Sequence, residues 1–175
     1  PLRVVVGEHR AAAGMHDLVI RNALLLDGTD SAPVRGDLGV TQGLISAVGK
    51  VNGPAKETLD ADGLALMPGI IDNHTHYDAQ LTWDPLASPS PALGVTTAVI
   101  GNCGFTIAPL AREHGDYLMR MLARVEGMPL ASLQQGVPWN WASFGQWLDQ
   151  LDGTLAINTG FMVGHSAIRR LVMGE

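Results

Sequence analysis

Three apolar runs constrain the fold more than any other feature of this sequence. "LMPGIID" (66–72), "VTTAVIG" (95–101) and "LAINTGFMVG" (155–164) are near-continuous in apolar residues, as strands of a parallel sheet covered on both faces would be. Helical patterns separate and follow the later runs. "DYLMRMLARVEG" places Tyr117, Leu118, Met121, Leu122 and Val125 on one stripe, with Gly127 as its stop. "SFGQWLDQL" has Ser143 and Gln146 at capping-box spacing, and Ser166 is placed to cap a last helix, "AIRRLVM". Between the first two runs, "DPLASPSPAL" reads as a proline-punctuated loop in place of a helix. Strand alternating with helix means a parallel α/β sheet or barrel. At roughly 30 or more residues per βα unit, residues 68–175 hold about three units, and an eight-unit barrel needs ~250 residues.

The preceding stretch has a different grain. "DLVIRN", "ALLLDG", "DLGV", "LISAVG" and "ETLDADG" are short strands divided by Gly, Pro and Asp/Asn turns, with Gln42 and Gly43 as a two-residue hairpin loop. This predicts a small antiparallel β subdomain over 15–66, followed by the α/β part over 67–175. Met15 reads as a natural start, and residues 1–14, which show no sustained pattern, as a tail.

Composition removes several functional classes. The net charge is −6 and Lys50 and Lys56 are the only lysines, so no basic patch exists for nucleic acid or an anionic membrane. No run approaches the ~18 apolar residues of a membrane span. Cys103 is the single cysteine, which excludes an intramolecular disulfide and fits a reducing, cytoplasmic setting. Charged residues make up 16% of the chain, below the typical ~25%, so much surface is uncharged and self-association through uncovered apolar surface is one expectation.

The chemistry concentrates at the ends of the apolar runs. In an extended strand His74 and His76 project from one face, so both imidazoles can reach one ion; alternatively one caps backbone groups and the other is a surface residue. Asp72 and Asp78 flank the pair and could orient its rings. Cys103, in "GNCGF" with Asn102 before it, follows the second strand. It reads either as a small buried side chain or, given its glycine-bracketed loop, as a soft ligand beside the histidines, suited to zinc and able to bridge two ions. His165 ends the third strand and could bind substrate, support the ligands or close the strand. Trp83, Trp139, Trp141 and Trp147 read as packing anchors, with Trp83 near enough to the histidines to line a pocket, and Arg169 and Arg170 as a solvated helix face.

"GLALMPGIIDNHTHYD", preceded by "DLVIRNALLLDGT", resembles the amino-terminal part of the amidohydrolase superfamily. "GVTTAVIGNCGFTIAPL", "VEGMPL" and "VGHSAIRRLVMGE" are similar to its N-acyl-D-amino-acid deacylase (D-aminoacylase) group. The resemblance implies a β-sandwich joined to a metal-bearing (β/α)8 TIM barrel, of which this chain would hold the sandwich's amino-terminal part and the first barrel units. It implies His74, His76 and Cys103 as ligands of one or two zinc ions, Cys103 standing where many relatives have a carboxylated lysine. It further implies hydrolysis of small N-acyl-D-amino acids to a carboxylate and a free amino acid. The group's general acid/base aspartate and two further histidine ligands belong to strands after residue 175, so the chain alone is expected to be inactive. Competing expectations are a cyclic-amide hydrolase of hydantoinase or dihydroorotase type, and a non-catalytic zinc-binding or self-associating module.

Overall fold

Alternating polar and apolar residues build the first sheet of the computed structural model, which describes residues 14–174. The expectations for Met15 as a start and residues 1–14 as a tail fall almost wholly outside that range. The chain divides between Pro68 and Gly69 into two units.

In the first unit β1 (His16–Leu25), β2 (Val34–Thr41), β3 (Leu44–Gly49) and β4 (Ala55–Asp60) lie in the order β3-β2-β1-β4, and the short β5 (Ala65–Leu66) also pairs with β1. Gln42 and Gly43 form the β2–β3 loop with φ of 52° and 74°, the positive values that a two-residue primed turn needs. The expected purely antiparallel unit is corrected. β1–β2 and β2–β3 are antiparallel, but β4 and β5 run parallel to β1. The reason is the route of the chain. β3 already runs in the direction of β1, and residues 50–54 cross the sheet, so β4 arrives pointing the same way. Val51 is buried on that crossing, and a Cβ on Gly39 would stand 3.2 Å from it, so the glycine leaves room for the crossing segment. The described residues of this unit build one sheet; the second layer of a sandwich is not among them.

The second unit holds the parallel strands β6 (Ile70–Thr75), β7 (Val95–Ile100) and β8 (Asn158–Phe161), in that order. Two 3-10 turns, Gln80–Thr82 and Ser90–Leu93, stand between β6 and β7 where a helix is missing. α1 (Gly115–Val125), α2 (Leu130–Gly136) and α3 (Phe144–Leu151) connect β7 to β8, and α4 (His165–Met173) follows. The capping box of α3 is present: the Ser143 hydroxyl accepts from the Gln146 amide, and the Gln146 side chain accepts from the Ser143 amide. α1 stops at Val125 with Gly127 at φ 68°, as expected, but its buried stripe is narrower, with Leu118 and Leu122 inside and Tyr117 and Val125 exposed.

Three expectations are corrected here. Ser166 is not a helix cap: Gly164 occupies that position, and both the amide and the hydroxyl of Ser166 donate to Gly104 O. Arg170 is not a freely solvated side chain, since its guanidinium lies 4.2 Å from the centre of the Tyr117 ring, while Arg169 is exposed. β6 is not covered on both faces among the described residues: the successive Ile70 and Ile71, which point to opposite sides of the sheet, are both exposed, whereas central β7 buries Ala98 and Ile100. The core beneath β7 is aromatic. Trp147 is fully buried against Phe161, Phe144 and Trp141, and Trp139 stacks on Trp141. Trp83 is partly exposed and its ring lies over Gly136. Among the described residues no helix is long and apolar enough to cross a membrane.

Candidate metal centre

The parallel pairing of β6 with β7 brings their carboxyl ends to one rim. His74 is the penultimate residue of β6 and His76 follows the strand; their rings project together, with centroids 5.4 Å apart and planes inclined at 58°. β7 ends at Ile100, and Gly101 then takes φ 87°, where a Cβ would collide with the Met162 carbonyl of the chain beyond β8. Only glycine turns so tightly there, and the turn sets Cys103 beside the histidines. Asn102 secures the loop, its side-chain amide donating to Asn73 O at 2.7 Å.

Cys103 Sγ lies 3.5 Å from His76 Nδ1, accepts from the Phe105 amide at 3.3 Å and is only partly buried. One ligand atom from each of His74, His76 and Cys103 falls within 4.8 Å of the others. Donors of one tetrahedral zinc, at ~2.0–2.1 Å for nitrogen and ~2.3 Å for sulfur, stand roughly 3.3–3.6 Å apart. The Cys103–His76 separation already has that value, and His74, exposed at the rim, can rotate to close the remainder. Two imidazoles and a thiol are a zinc-type donor set. The residues fit the ion.

The other expected site residues divide. Asp72 does not orient a ring; its carboxylate accepts from the His74 backbone amide at 3.1 Å, because a short side chain two residues upstream reaches main chain first. Asp78 does not touch the rings either. The chain has turned inward by that point: Asp78 is 2% exposed and its Oδ1 has no hydrogen-bond partner among the described residues. Burial pushes its carboxyl up to about 7, the negative Glu126 nearby adds to the rise, and the backbone amides of Asp78 and Ile107 oppose it. His165 opens α4 next to the cysteine loop, its Cβ 3.8 Å from where a Cβ on Gly104 would be, with its side chain exposed.

One residue here carried no assignment in the sequence. Glu126, the C-terminal cap of α1, places Oε1 3.2 Å from His76 Nδ1, and its side chain is 12% exposed. An acidic residue at the last position of a helix, where the macrodipole disfavours negative charge, was the available signal. A separate cleft of about 420 Å³ between α3 and β8 is lined by none of these side chains.

Comparison with known proteins adds an independent line. A model of the amidohydrolase family matches residues 57–175. The D-aminoacylase of Alcaligenes xylosoxydans xylosoxydans is 38% identical over 161 residues, which are 91% of this chain and 31% of that protein. A structure of D-aminoacylase described by its binuclear metal centre superposes with a TM-score of 0.75 and 34% identity, covering 91% of this chain and 32% of that one. The N-acyl-D-glutamate deacylase of Bordetella bronchiseptica, solved with zinc and a phosphonate mimic of the tetrahedral intermediate, gives a TM-score of 0.73 and 30% identity, covering 93% and 32%. The chain thus spans about a third of the length of these relatives.

Proposed function

This chain belongs to the amidohydrolase family, and from that premise we propose that it is the amino-terminal, metal-binding part of a zinc-dependent hydrolase cleaving the amide of N-acyl-D-amino acids to a carboxylate and a free D-amino acid. The observation that carries the proposal is the convergence of His74, His76 and Cys103 within 4.8 Å at the rim of a parallel sheet. The substrate class is supported by the deacylase relatives, one of them solved with zinc and an intermediate mimic.

His74, His76 and Cys103 would hold the metal, the thiol being the soft donor of the set. When bound, zinc polarises an amide carbonyl and makes water acidic enough to attack near neutral pH. The chain's own contribution is to fix the donors. Gly101 and Asn102 hold the cysteine loop against the ends of β6 and β8, and Glu126 faces the second histidine. Release of the amine needs a proton donor, which the family resemblance assigns to an aspartate of a later barrel strand. The 175-residue chain is therefore expected to bind zinc without turning over substrate.

Zinc titration of the purified chain against a chelating indicator tests this directly. Binding that falls more than roughly 100-fold in Cys103→Ser, with no hydrolysis of N-acetyl-D-amino acids by either protein, is the expected result. Equal zinc affinity in the two proteins would remove the cysteine from the site and with it the deacylase reading.

A further inference from the structure

Helix α4 begins against the cysteine loop, and its first turn is used to hold that loop. The Gly104 carbonyl, one residue beyond Cys103, accepts two hydrogen bonds from Ser166, one from the backbone amide at 2.9 Å and one from the hydroxyl at 2.8 Å. Serine near a helix start commonly serves by accepting from one of the helix's own free amides. Here the hydroxyl caps nothing in α4 and donates outward, so that one loop carbonyl has both of its lone pairs filled from the same residue. The approach is close. A Cβ on Gly164 would stand 2.6 Å from Thr106 Oγ1 and 2.7 Å from Gly104 O, so only glycine lets the helix start there. The buried Thr106 hydroxyl accepts from the Gly164 amide at 3.1 Å and donates to Ala108 O at 2.9 Å, which ties the loop to the same junction a second time.

We infer that Ser166 is a positioning residue for the metal centre: its hydroxyl bond to Gly104 O fixes the half of the loop that follows Cys103, and so keeps the sulfur in reach of the two histidines. The half that precedes Cys103 is fixed separately, by Gly101 packed against the Met162 carbonyl and by Asn102 donating to Asn73 O. The sulfur lies between the two fastenings. Phe105 reports on the second of them, because its amide donates to Cys103 Sγ at 3.3 Å and that bond needs the present path of the chain through Gly104. Ser166 is not itself a donor to the ion; the compact group of ligand atoms consists of His74, His76 and Cys103. α4 is thereby given a task in the site, holding a ligand loop that lies 62 residues earlier in the chain. Removing the hydroxyl alone leaves the Ser166 backbone bond and the Thr106 link in place, so the loop should loosen without unfolding.

The inference rests on the reading of Cys103 as a ligand, and two measurements keep them apart. The first is hydrogen exchange in the metal-free, nitrogen-15-labelled chain. In Ser166→Ala the Phe105 amide should exchange roughly 2- to 10-fold faster while the amides of α3 are unchanged, and Ser166→Thr, which keeps a hydroxyl, should restore the parent rate. The second is zinc titration against a chelating indicator. Affinity should fall roughly 2- to 10-fold in Ser166→Ala and return in Ser166→Thr. A Phe105 amide that does not change overturns the inference, and so does one that accelerates together with α3, since the serine would then prop the whole unit and not the loop. An alanine variant that binds zinc as tightly as the parent overturns it too, as does a threonine variant as impaired as the alanine one. If the parent chain binds no zinc, the functional proposal falls, while the exchange rates still decide whether Ser166 sets the place of the sulfur.

Discussion

In residues 14–68 the perturbed carboxylates lie at or near the surface with partners, whereas behind the histidines of residues 69–174 two carboxyl groups are packed away from water. Asp17 meets Lys56, Asp62 meets Arg35 and Asp27 accepts from the Thr29 hydroxyl, and each is held below the usual carboxylate range by that contact. Asp78 is pushed the other way by burial, and Glu126 has one imidazole for company. The hydrocarbon differs in the same sense. The first unit's buried cluster is Ala23, Leu25 and Ala61, while the second is built on Trp147 and its aromatic neighbours. The β unit rests on its ladders and polar links. The α/β unit has a core large enough to hold unfavourable charge in place, which a metal site requires.

The largest effect should come from cutting that core. Trp147→Ala removes a fully buried ring that packs edge-on to Phe161 with centroids 4.9 Å apart, and is expected to cost about 3–5 kcal/mol in chemical denaturation. Trp147→Phe should cost clearly less, because the indole N–H it deletes has no hydrogen-bond partner among the described residues. Equal losses would mean that the nitrogen is satisfied and the core less apolar than described.

The next largest comes from Asp78→Asn, read through pH. With a folded pKa of about 7 against an ordinary 3.8, the carboxyl costs the fold nothing well below 3.8, where both states are protonated. Between pH 4 and 7 the unfolded chain ionises first and stability falls; above 7 the loss is complete, on the order of 4 kcal/mol. Asparagine does not ionise, so the metal-free variant should be flat over that window and more stable than the parent at pH 8. Parallel pH profiles would show that the carboxyl is not buried uncharged.

How much of this the sequence carried depends on the range of the interactions. Period-two and period-3.6 patterns, the Gln42–Gly43 loop, the Ser143–Gln146 box and the strand-end positions of His74, His76 and Cys103 are local signals, and all were readable. The direction of β4 was not, since it depends on where a five-residue connection crosses the sheet. Nor was the burial of Asp78, two residues from a half-buried histidine, or the placement of Glu126, whose neighbouring imidazole lies fifty residues earlier. His16 illustrates the same limit. Its buried ring is satisfied by Thr41, Ser46 and the Asn52 carbonyl, a structural histidine that its sequence neighbours do not distinguish from a ligand.

The smallest effect sharpens the contrast because its sign is opposite. Asp37 accepts from the Asn22 amide and from Arg21, whose guanidinium is 2.6 Å away, and these contacts hold its carboxyl below the ordinary value. A depressed folded pKa contributes stability above the unfolded value of 3.8 that is lost as pH falls through the folded one. Asp37 and Arg21 are 18% and 30% exposed, so solvent screens the pair, and Asp37→Asn should cost no more than about 1 kcal/mol at pH 7. That deficit should vanish on acidification through the depressed folded value, where the parent loses the same charge. Arg35→Ala, at a pair about two-thirds exposed on both sides, should change nothing measurable at any pH. Across one pH series, then, Asp37→Asn should lie below the parent and Asp78→Asn above it from neutral pH upward, and both differences should vanish in acid. Deviations of the same sign would mean that one of the two carboxyl environments has been assigned to the wrong side of the water boundary.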